Sequence, residues 1–156
     1  MEKELIEKSI FVEIPTKKIY GSLAIGIATF LGGPLVAGYL IAENFRTFKD
    51  NKKAKITWII TIVTIILSYG VFFFIKNINL PNEIINISYI IIPVTYIAVT
   101  FYFAKIFQEQ KSNEHIKNGG KYYSWWRIML IAMIANFILA LLISGFFLFY
   151  IALMFL

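Results

Sequence analysis

Four runs of 20 to 29 residues contain no Asp, Glu, Lys, Arg or His: 19–42, 56–75, 84–104 and 128–156. About 20 apolar residues in a helix cross roughly 30 Å of hydrocarbon. Inside lipid every backbone N–H and C=O must be paired within the protein, so runs of this length form helices. The pattern predicts an all-α fold, a polytopic transmembrane helical bundle in one domain over 1–156. Composition agrees. Only 15% of the residues are charged, against about 25% for a soluble domain, too few to cover a water-facing surface of this size. A monomeric soluble enzyme, a disordered chain and a disulfide scaffold are thereby excluded.

The four runs differ. The second, ITWIITIVTIILSYGVFFFI, is uninterrupted; the third carries Pro93 near its middle, which should kink it; the fourth, 29 residues, should tilt, project or break near Ser144-Gly145. The first is broken by Gly32, Gly33 and Pro34, where glycine weakens a helix and proline cannot donate. It is either one kinked span or a hairpin that enters the membrane and returns to the same side, and in both forms the break must be buried by protein or line a wet cavity. Of the 15 Lys and Arg, ten against five separate across the membrane if there are four spans, and fourteen against one if the first run is re-entrant. The positive-inside rule favours the second split; Glu2, Glu4, Glu7 and Glu13 in the N-terminal segment weaken the argument. Either way 43–55 and 105–127 face the cytoplasm and 76–83 the outside.

Residues 1–18 mix Glu and Lys and lack the pattern of a cleaved signal peptide. Leu5, Ile6, Ile10 and Ile14 recur at helical spacing, which predicts a short amphipathic helix on the membrane interface, ended by Pro15.

Small and polar residues in the runs fall in stripes. Thr57, Thr61, Thr64 and Ser68 share one face of the second run; Asn86, Pro93 and Thr100 step by seven on the third; Ala132, Asn136, Ala140 and Ser144 step by four on the fourth. Ala24, Ala28 and Gly32 interlock with Thr29, Gly33 and Ala37 on the first. Two readings fit. Small residues let helices approach and hydroxyls bond across them. Alternatively the same faces line a hydrated path, with Asn136 its most polar point and Gly32-Gly33-Pro34 a constriction. The absence of mid-span charge argues against proton-coupled pumps, ion-coupled antiporters and voltage sensors.

The connections are basic. Arg46, Lys49, Lys52, Lys53 and Lys55, interleaved with Phe45 and Phe48, suit contact with anionic lipid headgroups, as does Arg127 beside Tyr122, Tyr123, Trp125 and Trp126. Nucleic acid is not an expected partner of so short a linker. Glu43 reads as a solvated carboxylate beside Arg46, and the helix of the third run should project as far as Asn118. With no Cys and one His, His115, the chain offers no metal cluster, and no nucleophile or paired carboxylate marks an enzyme. No catalytic residue, cofactor or metal is expected.

Two segments, GGPLVAGYLIAENFRTFKD at 32–50 and EHIKNGG with SWWR within 114–127, resemble a group of small uncharacterised bacterial multi-pass membrane proteins. In that group a GxPLAGG-like motif ends an early apolar stretch and leads into Asn-x-Arg or Asn-x-Lys. Gly33, Pro34, Leu35, Gly38, Asn44 and Arg46 match, while Val36 stands for Ala and Ala37 for Gly. The resemblance implies a bacterial cytoplasmic membrane and brings no activity. The functional expectation is a small homo-oligomer forming a pore or ion channel; the alternative is a non-catalytic anchor or regulatory subunit packed against a partner membrane protein.

Overall fold

The computed structural model describes residues 15–78 and 80–154; the amphipathic helix expected within 1–14 lies outside them. The described chain is helical, with α1 (Ser22–Thr47), α2 (Asn51–Asn77), α3 (Asn82–Lys117) and α4 (Trp125–Met154). All four are long and apolar enough to cross a membrane.

The first does not run straight. Gly33 has φ 69° and ψ −167°, a conformation that a residue with a Cβ adopts only under strain, and Pro34 follows without an amide to rejoin the preceding turn. A straight helix would separate Tyr20 from Asn44 by about 36 Å. Instead the Tyr20 N–H donates to Asn44 Oδ1 at 2.8 Å and Asn44 Nδ2 donates to the Tyr20 carbonyl at 2.7 Å. The element is therefore a helical hairpin with arms 22–32 and 34–47, each reaching about 16–21 Å from its base. That is roughly half of a hydrocarbon core. Of the two forms open to the first run, the structure takes the hairpin.

The hairpin is the hub. It packs on α2, α3 and α4 in turn, whereas among the described residues α2 and α3 touch each other little and α4 touches neither. Ala24, Ile25, Ala28, Val36, Leu40 and Phe45 of the hairpin form a core with Ala54 of α2, Ala104 of α3 and Ala132 of α4. Small residues permit the approach: a Cβ on Gly38 would overlap the Thr61 side chain, and one on Gly32 would lie 3.1 Å from the Ala132 Cα.

The remaining helix expectations resolve unevenly. α3 continues through Pro93 without division, although the proline leaves the Tyr89 carbonyl without its usual donor. It stops at Lys117 with Asn118 as its cap, the Gly119 and Gly120 amides closing on the Ile116 and His115 carbonyls at 3.0 and 2.9 Å. The break expected near Ser144-Gly145 does not occur. α4 runs through both residues, and Ser144 Oγ bonds back to the Ala140 carbonyl at 2.8 Å, so its length, about 45 Å, is taken up by tilt or projection.

Candidate functional site: a hydroxyl-lined cavity beside the hairpin

The second arm of the hairpin, α2 and α3 line a half-open cavity of about 130 Å³, large enough for several waters. Its walls combine apolar residues with Thr57, Thr61, Thr64, Tyr96 and Thr100, and Pro34 lies at its edge near the hairpin tip. The hydroxyls are unequally engaged. Thr57 Oγ1 donates to the Lys53 carbonyl and Thr61 Oγ1 to the Thr57 carbonyl, both at 2.8 Å. These two are buried against the hairpin and serve helix packing. Thr64 and Thr100 line the cavity farther from the base. No ionisable carboxylate or ammonium lines it, so its chemistry is that of neutral hydrogen-bonding groups.

The residues expected along a pore or packing face thus divide by depth. Thr57, Thr61, Thr64 and Thr100 converge on the cavity. Ser68 is half-buried, while Asn86 and Ser144 are exposed and do not join it. Their helices extend beyond the hairpin tip, where the described residues show little packing beyond the stacking of Phe72 of α2 on Tyr89 of α3 at 5.4 Å. Asn136 Nδ2 donates to the Leu31 carbonyl at 2.6 Å, a contact of the kind that the packing reading expects. A broken helix leaves its last carbonyls without donors, and Asn136 supplies one at the hairpin tip. Of the expected constriction, Gly33 makes the turn, Gly32 packs on α4, and Pro34 borders the cavity.

At the base of the hairpin, Arg127 and the motif's Asn44 are joined by Tyr20 and Gln108, which the sequence did not single out. Asn44 Nδ2 also donates to Gln108 Oε1 at 3.0 Å, and Gln108 Nε2 donates to the Ile41 carbonyl at 2.8 Å. Both side chains are buried, so an amide pair ties the hairpin to α3. His115 Nε2 lies 2.8 Å from the Lys17 carbonyl, with its ring edge-on to Phe48. The Ile19 amide donates to the Lys121 carbonyl at 3.0 Å, and the Tyr123 amide to the Ile19 carbonyl at 2.9 Å. Arg127 Nε donates to the Tyr20 hydroxyl at 3.1 Å and its guanidinium lies 4.2 Å over the Tyr123 ring. The signal available in the sequence was Asn44, the motif's amide, spaced from Gly33 about as far as Tyr20 is.

The cations gather at that same end. Arg46, Lys49, Lys52, Lys53 and Lys55 are exposed there, as is Arg127. Arg46 pairs with Glu43 at 3.2 Å, while Asp50 receives Lys53 at 3.5 Å and Lys111 at 3.6 Å. Asp50 also caps α2, accepting the Lys53 amide at 3.1 Å. That backbone bond, reinforced by the two ammonium groups, holds its carboxyl below the ordinary value. Among the described residues, twelve of the thirteen Lys and Arg lie in segments at the hairpin base, and Lys76 lies at the other end of the bundle. No three His, Cys, Asp or Glu side chains among the described residues come together in a way that could hold a metal.

No family model, curated protein or solved structure matches the chain.

Proposed function

We propose that the chain is a small oligomeric protein of the bacterial cytoplasmic membrane that passes small polar solutes or ions without energy coupling. The observation that carries this reading is the cavity between the hairpin's second arm and α2 and α3. It is lined by the Thr64, Tyr96 and Thr100 hydroxyls and bordered by the turn at Gly33-Pro34. Such groups replace part of a solute's hydration at low cost and bind no ion tightly. The absence of charge in the apolar runs supports passive conduction over proton or ion coupling. Homo-oligomerisation is part of the proposal, because the outer halves of three helices have little to pack on within one copy.

The direct test is flux through liposomes containing purified protein, read with ion-sensitive dyes and by osmotic light scattering. The expected result is permeability above protein-free vesicles that a Thr64→Leu/Thr100→Leu variant abolishes while its melting temperature is kept. Background permeability for both proteins would sink the proposal. Single cysteines at Lys18, Asn51 and Asn82 test the orientation in a chain with no native Cys. Positions 18 and 51 should label from the cytoplasmic side and 82 from outside.

A second reading has its own support. The exposed faces of α2, α3 and α4, with Ile66, Phe73, Ile90 and Leu141 among their bare residues, would suit an anchor or regulatory subunit of another membrane protein. Stable co-purification with one partner favours it, whereas a homogeneous homo-oligomer counts against it.

A further inference from the structure

An open groove of about 780 Å³ lies on the opposite side of the hairpin from the cavity, between the segment leading into α1, Tyr39 of the second arm and the start of α4. Its mouth carries Lys17, Lys18 and Ser124; Arg127 stands at the first turn of α4; Leu130 and Ile131 continue one turn deeper. Among the described residues no carboxylate lines it. Those residues therefore leave the three cations without a counter-charge in the groove, and polarity falls along it from base to membrane interior.

Arg127 is pre-oriented. Its Nε is held by the Tyr20 hydroxyl, its plane lies over Tyr123 and Tyr39 is a further hydrogen-bond partner, which leaves three of the five N–H donors of a guanidinium for a ligand. A guanidinium fork fits two oxygens of a phosphate, and two ammonium groups beside it add charge without demanding geometry. Below it Leu130 is more than half exposed and offers an aliphatic track. A phosphate with an acyl chain on one side satisfies both halves of the groove; a free anion satisfies only the upper half.

We propose that this groove binds one anionic diacyl phospholipid, its phosphate between Lys17, Lys18 and Arg127 and an acyl chain along Leu130 and Ile131. The site is separate from the cavity, and its occupancy does not depend on whether the cavity conducts.

Native mass spectrometry of delipidated protein in detergent tests it, with phosphatidylglycerol and phosphatidylcholine of identical chains as probes. Wild type should retain one phosphatidylglycerol in preference to phosphatidylcholine, and millimolar inorganic phosphate should not displace it. Each lysine removed near a membrane surface weakens such binding about fivefold, so Lys17→Gln/Lys18→Gln should lower retention ~25-fold. The Lys105→Gln/Lys117→Gln pair, equally basic, exposed and outside the groove, should leave it unchanged. Lys17 and Lys18 are exposed side chains, and the contact of Lys17 with His115 is through its backbone, so the variant should fold. Leu130→Trp, which fills the groove and keeps every charge, should also expel the lipid. Equal retention of the two lipids, equal losses from the two lysine pairs, full retention in Leu130→Trp, or displacement by inorganic phosphate would each overturn the proposal.

Discussion

The hairpin and the outer halves of the helices around it are both strongly apolar, yet they use that apolarity in opposite ways. Over half of the hairpin's most apolar window is buried in the protein (56%), against 6% for α2, none for α3 and 17% for α4. Residue size accounts for the difference. The hairpin presents Ala24, Ala28, Gly32, Ala37 and Gly38 to its neighbours, and backbones close on one another there. The outer helices present Ile, Leu and Phe, which make broad contact with lipid tails and gain little by exchanging them for another helix. Apolarity identifies the solvent; side-chain volume decides which segment the protein buries.

The sharpest way to break this contrast is to make one substitution in both regions. Asn44→Leu removes the partner of the buried Tyr20 amide and carbonyl and of Gln108. Each of the three orphaned groups costs about 1–3 kcal/mol, so the loss should be about 3–9 kcal/mol, with the hairpin base opening. Asn86→Leu, on an exposed outer face, should stay within about 0.5 kcal/mol. Unfolding in detergent measures both. Similar losses at the two sites would mean that the outer face is buried in an assembly and that the contrast belongs to the single copy alone.

A glycine pair makes the next test. Gly38→Val drives a side chain into Thr61, whereas Gly70 has nothing within 4 Å of where a Cβ would stand. Overpacking costs about 1–3 kcal/mol, and Thr61→Ala should recover part of it in a double variant. Gly70→Ala should be neutral or slightly stabilising, since alanine is the better helix former.

Much of this was legible before any coordinates. Charge-free runs fix the solvent, Gly32-Gly33-Pro34 locates the turn, and the distribution of cations favours the re-entrant form. Depth was not legible. A stripe such as Thr57 to Ser68 states which face a residue occupies, but only the length of the hairpin arms decides where along that face packing stops. For that reason Thr64 reaches the cavity and Asn86 does not. Gln108 was hidden for another reason: it lies in the charged run KIFQEQK, where polar context suggests solvent, and only the folding back of α1 brings Asn44 to it.

Asn136 probes the hairpin tip with a smaller effect. Asn136→Leu leaves the Leu31 carbonyl without its donor; polar contacts between helices in a membrane average about 0.6 kcal/mol and reach ~1.7, and a loss in that range is expected. Ser144→Ala, which removes only a bond within its own helix, should lie near zero. A flux defect in Asn136→Leu as large as that of Thr64→Leu/Thr100→Leu, with stability intact, would place Asn136 on the conducting path.

The smallest effect separates packing from charge at the hairpin base. The Asp50 carboxyl is held below its ordinary value first by the Lys53 amide and then by the Lys53 and Lys111 ammonium groups. A carboxyl lowered in the folded state stabilises it above the unfolded-state value, about 3.9. That contribution falls away as pH drops through the lower folded value. Stability should therefore decline from about pH 4 downward, and Asp50→Asn should flatten that acid limb. Asparagine still caps a helix, so α2 should keep its start and stability at pH 7 should change little, because the pairs are exposed and such pairs contribute at most about 1 kcal/mol. A large loss at neutral pH in Asp50→Asn would instead show that the ion pairs, rather than the buried Asn44–Gln108 amides, hold α2 and α3 to the hairpin.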